Sequence, residues 1–250
     1  MLKRTALAAM ALSLLTLAAC GDDSDDAGSP DEKSSSTVAT EGADTTPETD
    51  PATGSEGEPD AAAGSCDYAT DTQPASREVD APPAEPKYSG DVKATISTTA
   101  GELPITLDGG HAPCTVNSFV SLTEQGFYDD TPCPRLATNP GFVLLQCGDP
   151  TGTGTGGPGY TVPDEYTADE TYPAGTLAMA NTGAPNSGGS QFFICIEDTQ
   201  LNPAYTAFGT VDEEGLKALR KVAEGGDDGS HPAGGGKPNI AVDITKVTVS

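Results

Sequence analysis

Cysteines, two histidines, a glycine-rich loop and a serine-bearing turn are the groups whose types could carry chemistry in this chain. The histidines, His111 and His231, lie close to prolines in loop-like stretches, and none of the six cysteines forms a CxxC pair, so no metal site is expected. The loop GTGTGGPGY, from Gly152 to Tyr160, looks like a phosphate cradle but lacks the GK[ST] ending and a helix-forming segment after it. A flexible or tight-turn loop is the better reading. The NSGGS stretch lacks GxSxG spacing and a nearby histidine, which argues against a serine nucleophile. Cys195 sits inside the apolar run Phe192 to Ile196 and reads as a buried small hydrophobe. That leaves Cys66, Cys114, Cys133 and Cys147 for up to two disulfides, with the pairing open.

The elements that must position any site begin beyond Lys87. Apolar residues alternate in VKATIST and in ELPITLD about a Thr99-Ala100-Gly101 turn, which predicts a hairpin. Thr115 is placed to cap a helix in which Val116, Phe119, Val120 and Leu122 recur near the helical period, and Gly126 ends it. Short strands are expected at Cys133 to Leu136, Val143 to Cys147, Thr176 to Ala180, Gln191 to Ile196, Tyr205 to Val211 and Ile240 to Val249. A second helix, Asp212 to Ala223, starts acidic and gains Lys217, Arg220 and Lys221 later, in accord with the helix dipole. Many short strands and two helices predict an all-β domain: a closed antiparallel β-barrel plugged by helices.

Ahead of this lies a different kind of sequence. Residues 1–19 have a basic pair, an apolar run too short for the roughly 20 residues of a spanning helix, and small residues before Cys20. This reads as a signal peptide. The LAAC string resembles a bacterial lipobox, which implies lipidation of Cys20, a membrane anchor through two acyl chains and an extracytoplasmic location. Residues 20–87 are rich in Asp, Glu, Ser, Thr, Gly, Ala and Pro, and are expected to form a disordered acidic tether. The net charge of -26 opposes nucleic-acid binding, which needs basic patches. No excess apolar stripe is evident, so a monomer is expected.

Together, PRLATNPGFVLLQCGD, GTGTGGPGY, LAMANTGAPNSGGSQFFI and AFGTV resemble the cyclophilin family, in order and at workable spacing, over Tyr88 to Ser250. The resemblance implies an eight-stranded antiparallel barrel with two capping helices, peptidyl-prolyl cis-trans isomerase activity, proline-containing peptides and unfolded exported proteins as partners, and no cofactor. It implies catalytic roles for Arg135, Gln191 and Phe193. Asn181 would contact substrate backbone, Ala180 and Thr182 would flank it, and Leu201 and Tyr205 would complete the proline pocket. Leu144 stands where the family has methionine, and either Phe142 or Val143 takes the place of its pocket phenylalanine, because the segment before Gln146 is one residue longer than usual. Gly154 and Thr155 are candidate secondary contacts. Pro134 replaces the usual histidine before the arginine, Tyr205 stands where many members have histidine, and Gln200 where many have tryptophan.

These residue types suit that reaction. Rotation about an X-Pro amide costs on the order of 18–20 kcal/mol because the nitrogen lone pair is shared with the carbonyl. Twisting frees the lone pair, and a fixed cation donating to that nitrogen stabilises the twisted amide more than the planar one. Arg135 can do so without proton transfer, while Gln191 is expected to hold the guanidinium through its amide oxygen and address the substrate carbonyl with its other end. The alternative is a cyclophilin-shaped module that binds proline-containing segments without turnover, as a chaperone or adhesin.

Overall fold

The computed structural model describes residues 64–250. The signal peptide, Cys20 and most of the expected tether lie outside the described residues.

Strands β1 (Asp91–Thr98) and β2 (Gly101–Asp108) form the expected hairpin, with Thr98 opposite Gly101 and Val92, Ala94, Ile96, Leu103, Ile105 and Leu107 turned inward. Gly101 has φ 137°, a conformation that only glycine adopts without strain, so the two-residue turn depends on it. Helix α1 (Pro113–Glu124) starts earlier than expected, with proline in its first turn and Ala112 at the cap position. Thr115 is therefore not the cap. Its backbone N–H and hydroxyl, with the N–H of Cys114, instead donate to the carboxylate of Glu165 at 2.7–2.8 Å. A distant acid thus satisfies the orphan donors of the helix start. Helix α2 (Glu213–Glu224) forms where the sequence places it, with Asp212 as its cap, accepting from Gly215 N–H at 2.9 Å. It packs on β2 through a buried face that includes Leu216 and Leu219, whereas α1 lies against the last strand.

The other strands are β3 (Thr131–Pro132), β4 (Arg135–Asn139), β5 (Phe142–Cys147), β6 (Thr176–Met179), β7 (Phe192–Cys195), β8 (Ala207–Val211) and β9 (Asp243–Val249). All pair antiparallel in the order β3-β9-β1-β2-β8-β6-β7-β5-β4. The resemblance implies eight strands in a barrel; the described residues form nine in one curled row because one of the eight is split in two. The difference lies at Pro134. The edges β3 and β4 are successive pieces of one run, broken where prolines at 132 and 134 supply no ladder N–H. The sheet therefore curls until its edges are joined by the chain itself, and the disulfide Cys133–Cys147 ties that seam to β5.

Inside the curl, Phe119, Tyr128, Phe192 and Phe208 meet with Phe119 ring centroids 5.0–5.6 Å from the others. A second buried cluster, on the outer face, comprises Ala137, Leu144, Tyr172, Ala178, Phe193 and Cys195. This explains why β6 and β7 are buried throughout rather than alternating: Phe192 and Ile194 face the inner core, Phe193 and Cys195 the outer cluster.

A further departure concerns residues 64–87, which the composition assigns to the tether. They form a strap along the barrel, joined to the first turn of α1 by the disulfide Cys66–Cys114. Arg77 donates to the carbonyls of Gly126, Phe127 and Asp129, and Thr70 pairs with Tyr160. Asp80 N–H and carbonyl both bond the Gln125 amide, and Tyr68 and Val79 pack against the core, so order here comes from partners distant in sequence.

Candidate active site

The outer cluster is the floor of a cleft of about 440 Å³. Strand register dictates what lines it. Arg135 on β4 lies opposite Gln146 on β5, Gln146 opposite Phe193 on β7, and Phe193 opposite Ala178 on β6, so one row crosses the sheet on its outer face. Because side chains two apart share a face, Gln146 brings Leu144 and Phe142 outward with it. The choice between Phe142 and Val143 is thereby decided: Phe142 lines the cleft, and Val143 packs against the inner core.

Arg135 is half-buried. Its Nη1 donates to Gln146 Oε1 at 3.0 Å, Nε to Gly234 O at 3.1 Å and Nη2 to Ala233 O at 3.0 Å. The guanidinium carbon lies 5.6 Å from the Phe142 ring centre. Burial draws the Arg135 pKa down from its ordinary value, an effect opposed by Tyr205 across the cleft, yet the guanidinium remains a cation. Three of its five N–H donors are engaged, which leaves one on each terminal nitrogen.

Gln191 does not hold Arg135 directly, as the sequence reading expects; Gln146 intervenes. Gln146 Nε2 donates to Gln191 Oε1 at 2.9 Å, and Gln191 Nε2 donates to the carbonyls of Gly154 and Gly156 at 3.1 and 3.0 Å. The direction of this relay is fixed at both ends, since arginine only donates and backbone carbonyls only accept. Gln191 thus anchors the Gly152–Tyr160 loop with the amide group assigned to the substrate carbonyl. The loop itself folds around buried Asp149, whose carboxylate accepts from the N–H groups of Thr151, Gly154 and Gly156. Amides that could have faced a phosphate are spent on an internal carboxylate. Burial pushes the Asp149 pKa up, but hydrogen bonds from Thr151, Gly156 and Gly154 outweigh it and hold the carboxyl below its ordinary range.

Phe193 forms the centre of the apolar floor. Tyr205 meets it edge-on, with centroids 5.4 Å apart, and Leu201 and Leu144 complete the walls. Tyr172, which sequence reasoning did not single out, supports this wall from beneath: its hydroxyl accepts from Tyr205 N–H and donates to Tyr205 O, both at 3.0 Å. Ala180 and Asn181 line the same cleft. Asn181 Nδ2 donates to Ala204 O at 2.8 Å, tying the Asn181 segment to the one that carries Tyr205. Neither backbone group of Asn181 bonds elsewhere among the described residues. Gly154, Thr155 and Thr182 lie instead in an adjoining cleft of about 150 Å³, beyond Gln191, whose rim includes Asp71 of the strap. Besides Tyr172, the sequence reading did not single out Gln146, the carbonyls of Ala233 and Gly234, or His231 beside them as contributors.

A family model described as "Cyclophilin type peptidyl-prolyl cis-trans isomerase/CLD" matches residues 93–249. The chain belongs to the cyclophilin family. Among its relatives, the probable peptidyl-prolyl cis-trans isomerase B of Mycobacterium leprae is 45% identical over 183 residues, which is 66% of this chain and 62% of that protein. The protein of that name from Mycobacterium tuberculosis is 45% identical over 174 residues, 65% of this chain and 56% of the relative. The match thus spans less than two thirds of the length of these mycobacterial relatives. A peptidyl-prolyl cis-trans isomerase of Synechococcus elongatus is 45% identical over 135 residues, covering 53% of this chain and 90% of its own length. A cyclophilin crystal structure from Cryptosporidium parvum is similar at TM-score 0.55 and 30% identity, over 64% of this chain and 98% of its own. The same protein determined in the presence of the dipeptide Ala-Pro is similar at TM-score 0.54 and 30% identity, over 63% of this chain and 98% of its own.

Proposed function

We propose that this cyclophilin is a peptidyl-prolyl cis-trans isomerase in which Arg135 stabilises the twisted X-Pro amide, and that it assists the folding of exported proteins from a lipid anchor at Cys20. The observation that carries the catalytic part is the arginine itself. It is held by three acceptors, keeps one uncommitted N–H on each terminal nitrogen, and stands beside an apolar seat made by Phe142, Leu144, Phe193, Leu201 and Tyr205.

In this reading the pyrrolidine ring occupies the seat and a free Arg135 N–H reaches the prolyl nitrogen. The backbone groups of Asn181 hold the neighbouring peptide, and the acyl side rotates. A hundred-thousandfold acceleration requires about 7 kcal/mol off the barrier. A charge-assisted hydrogen bond in a half-dry cleft, together with orientation, is of the size needed for most of it. The anchoring part is supported by the LAAC string ahead of the acidic stretch, and by two disulfides that suit an oxidising compartment.

The test is cis-trans exchange of a short X-Pro peptide, with the protein and its Arg135→Ala variant compared at equal concentration. The proposal expects acceleration by the parent and loss of most of it in a folded variant. A folded parent that binds the peptide without accelerating exchange would establish the non-catalytic binding module instead. Radiolabelled acyl incorporation that survives Cys20→Ser would remove the anchor.

A further inference from the structure

Two of the three acceptors that hold Arg135 are backbone carbonyls of a loop after α2, and that loop depends on a histidine. Residues 227–238 fold back on themselves: Asp227 pairs with Pro238, Asp228 N–H donates to Lys237 O, and the Asp228 carboxylate accepts from Ser230 and Lys237 N–H. At the tip, His231 N–H donates to Gly235 O at 2.9 Å and Gly234 N–H to His231 O at 3.0 Å. Ala233 N–H donates to His231 Nδ1 at 3.2 Å. Ala233 and Gly234 are the residues whose carbonyls receive Arg135.

The Nδ1 contact dictates the charge of the ring. An imidazole nitrogen accepts only when it carries no proton, so the observed turn requires neutral His231 with its proton on Nε2. Protonation would set an Nδ1–H against the Ala233 N–H. It would also add a positive charge beside Arg135, with Asp227, Asp228, Lys237 and Tyr205 as the other ionisable neighbours on the loop and across the cleft. Hydrogen bonds from Ser230 and from Lys237 keep the Asp228 carboxyl below its ordinary range, so its charge is constant where histidine titrates. Burial and the Arg135 charge both favour the neutral ring and lower its pKa.

We infer that His231 is a positioning residue, whose neutral imidazole fixes the turn that presents the Ala233 and Gly234 carbonyls to Arg135 and releases the arginine on taking up a proton. The inference rests on the isomerase reading above for its effect on activity, but not for its effect on Arg135. Its geometry also names the substitution that should replace it. A side-chain acceptor bonding the N–H two residues on is the habit of asparagine in turns.

The experiment compares the whole protein with H231N and H231A, measuring kcat/KM for an X-Pro peptide and the NMR resonance of Arg135 Nε–H at pH 7.5 and pH 5. The parent is expected to lose about tenfold in kcat/KM on acidification, as its arginine loses held geometry. H231N should keep most of the activity with no such pH dependence, and H231A should be low at both values. The Nε–H resonance should sit at its hydrogen-bonded position in the parent at pH 7.5 and in H231N throughout. It should leave that position in H231A at pH 7.5, a change that adds no charge. An H231A that matches the parent at pH 7.5 in this resonance, or an H231N that titrates like the parent, overturns the inference. If no form isomerises the peptide, the resonance alone decides it and the isomerase reading fails separately.

Discussion

Gln146→Leu is the substitution that most directly tests how the arginine is held. Leucine keeps the side-chain bulk on the outer face of β5 but removes the acceptor of Arg135 Nη1, 3.0 Å away, and the donor to Gln191 Oε1, 2.9 Å away. A hydrogen bond to a charged group contributes about 1.5–3 kcal/mol, and the half-buried setting favours the lower part of that range. Arg135 retains its two loop carbonyls, so its position is loosened rather than lost. A loss of about 2 kcal/mol of transition-state stabilisation corresponds to roughly thirtyfold in kcat/KM. The apolar seat is untouched, so the loss should fall on kcat, with KM nearly unchanged. Exchange spectroscopy on an X-Pro peptide over a range of substrate concentrations separates the two. Gln146→Glu supplies the control: it keeps an acceptor for Arg135 but turns an oxygen toward Gln191 Oε1, and should lie between parent and leucine variant. A leucine variant within twofold of the parent would show that the loop carbonyls suffice, and that the relay to Gln191 serves only the glycine-rich loop.

Three other expectations follow from the same geometry. Replacing Cys66 and Cys114 with serine opens a loop of 48 residues, which in the chain-entropy account costs about 4 kcal/mol; thermal unfolding should show a lowered Tm, and an unchanged Tm would mean that Arg77 and Thr70 hold the strap unaided. Asp149 has a depressed pKa, so its stabilising contribution is fully present above the ordinary aspartate value of about 3.9 and is lost as pH falls toward the folded-state value. Asp149→Asn should flatten the acid limb of an unfolding titration, and an unaltered limb would refute the assignment. Gly156→Ala would drive a Cβ into the Asp149 carboxylate and Ser76 Oγ, and should lower activity through displacement of the Gln191 anchor while leaving the barrel core intact by circular dichroism.

The hairpin of β1 and β2 was legible because one face is buried and the other wet, so alternation appears directly in the residues. Strands β6 and β7 were legible as strands but not as to which side faced where, because both faces are covered. Gln146 held the missing information: as a polar residue between buried Leu145 and Cys147 it marks the outward parity, and that parity selects Phe142 over Val143. The loop beside Arg135 could not be read, since it acts through backbone carbonyls and any residue carries a carbonyl. The strap could not be read either. Its residues resemble a tether by composition, and their order depends on Cys114, Gln125 and Tyr160, partners far away in sequence.

The strap's disulfide also determines where mechanical load would be shared. A pull arriving along the chain from residues ahead of the strap meets the Cys66–Cys114 bond first and passes into the start of α1. The downstream strap segment, including Asp71 at the rim of the smaller cleft and Ser76 beside the glycine-rich loop, lies behind that covalent link and runs in parallel with it. A load applied ahead of Cys66 would thus be shared with α1 through a covalent bond instead of reaching the cleft through the strap alone.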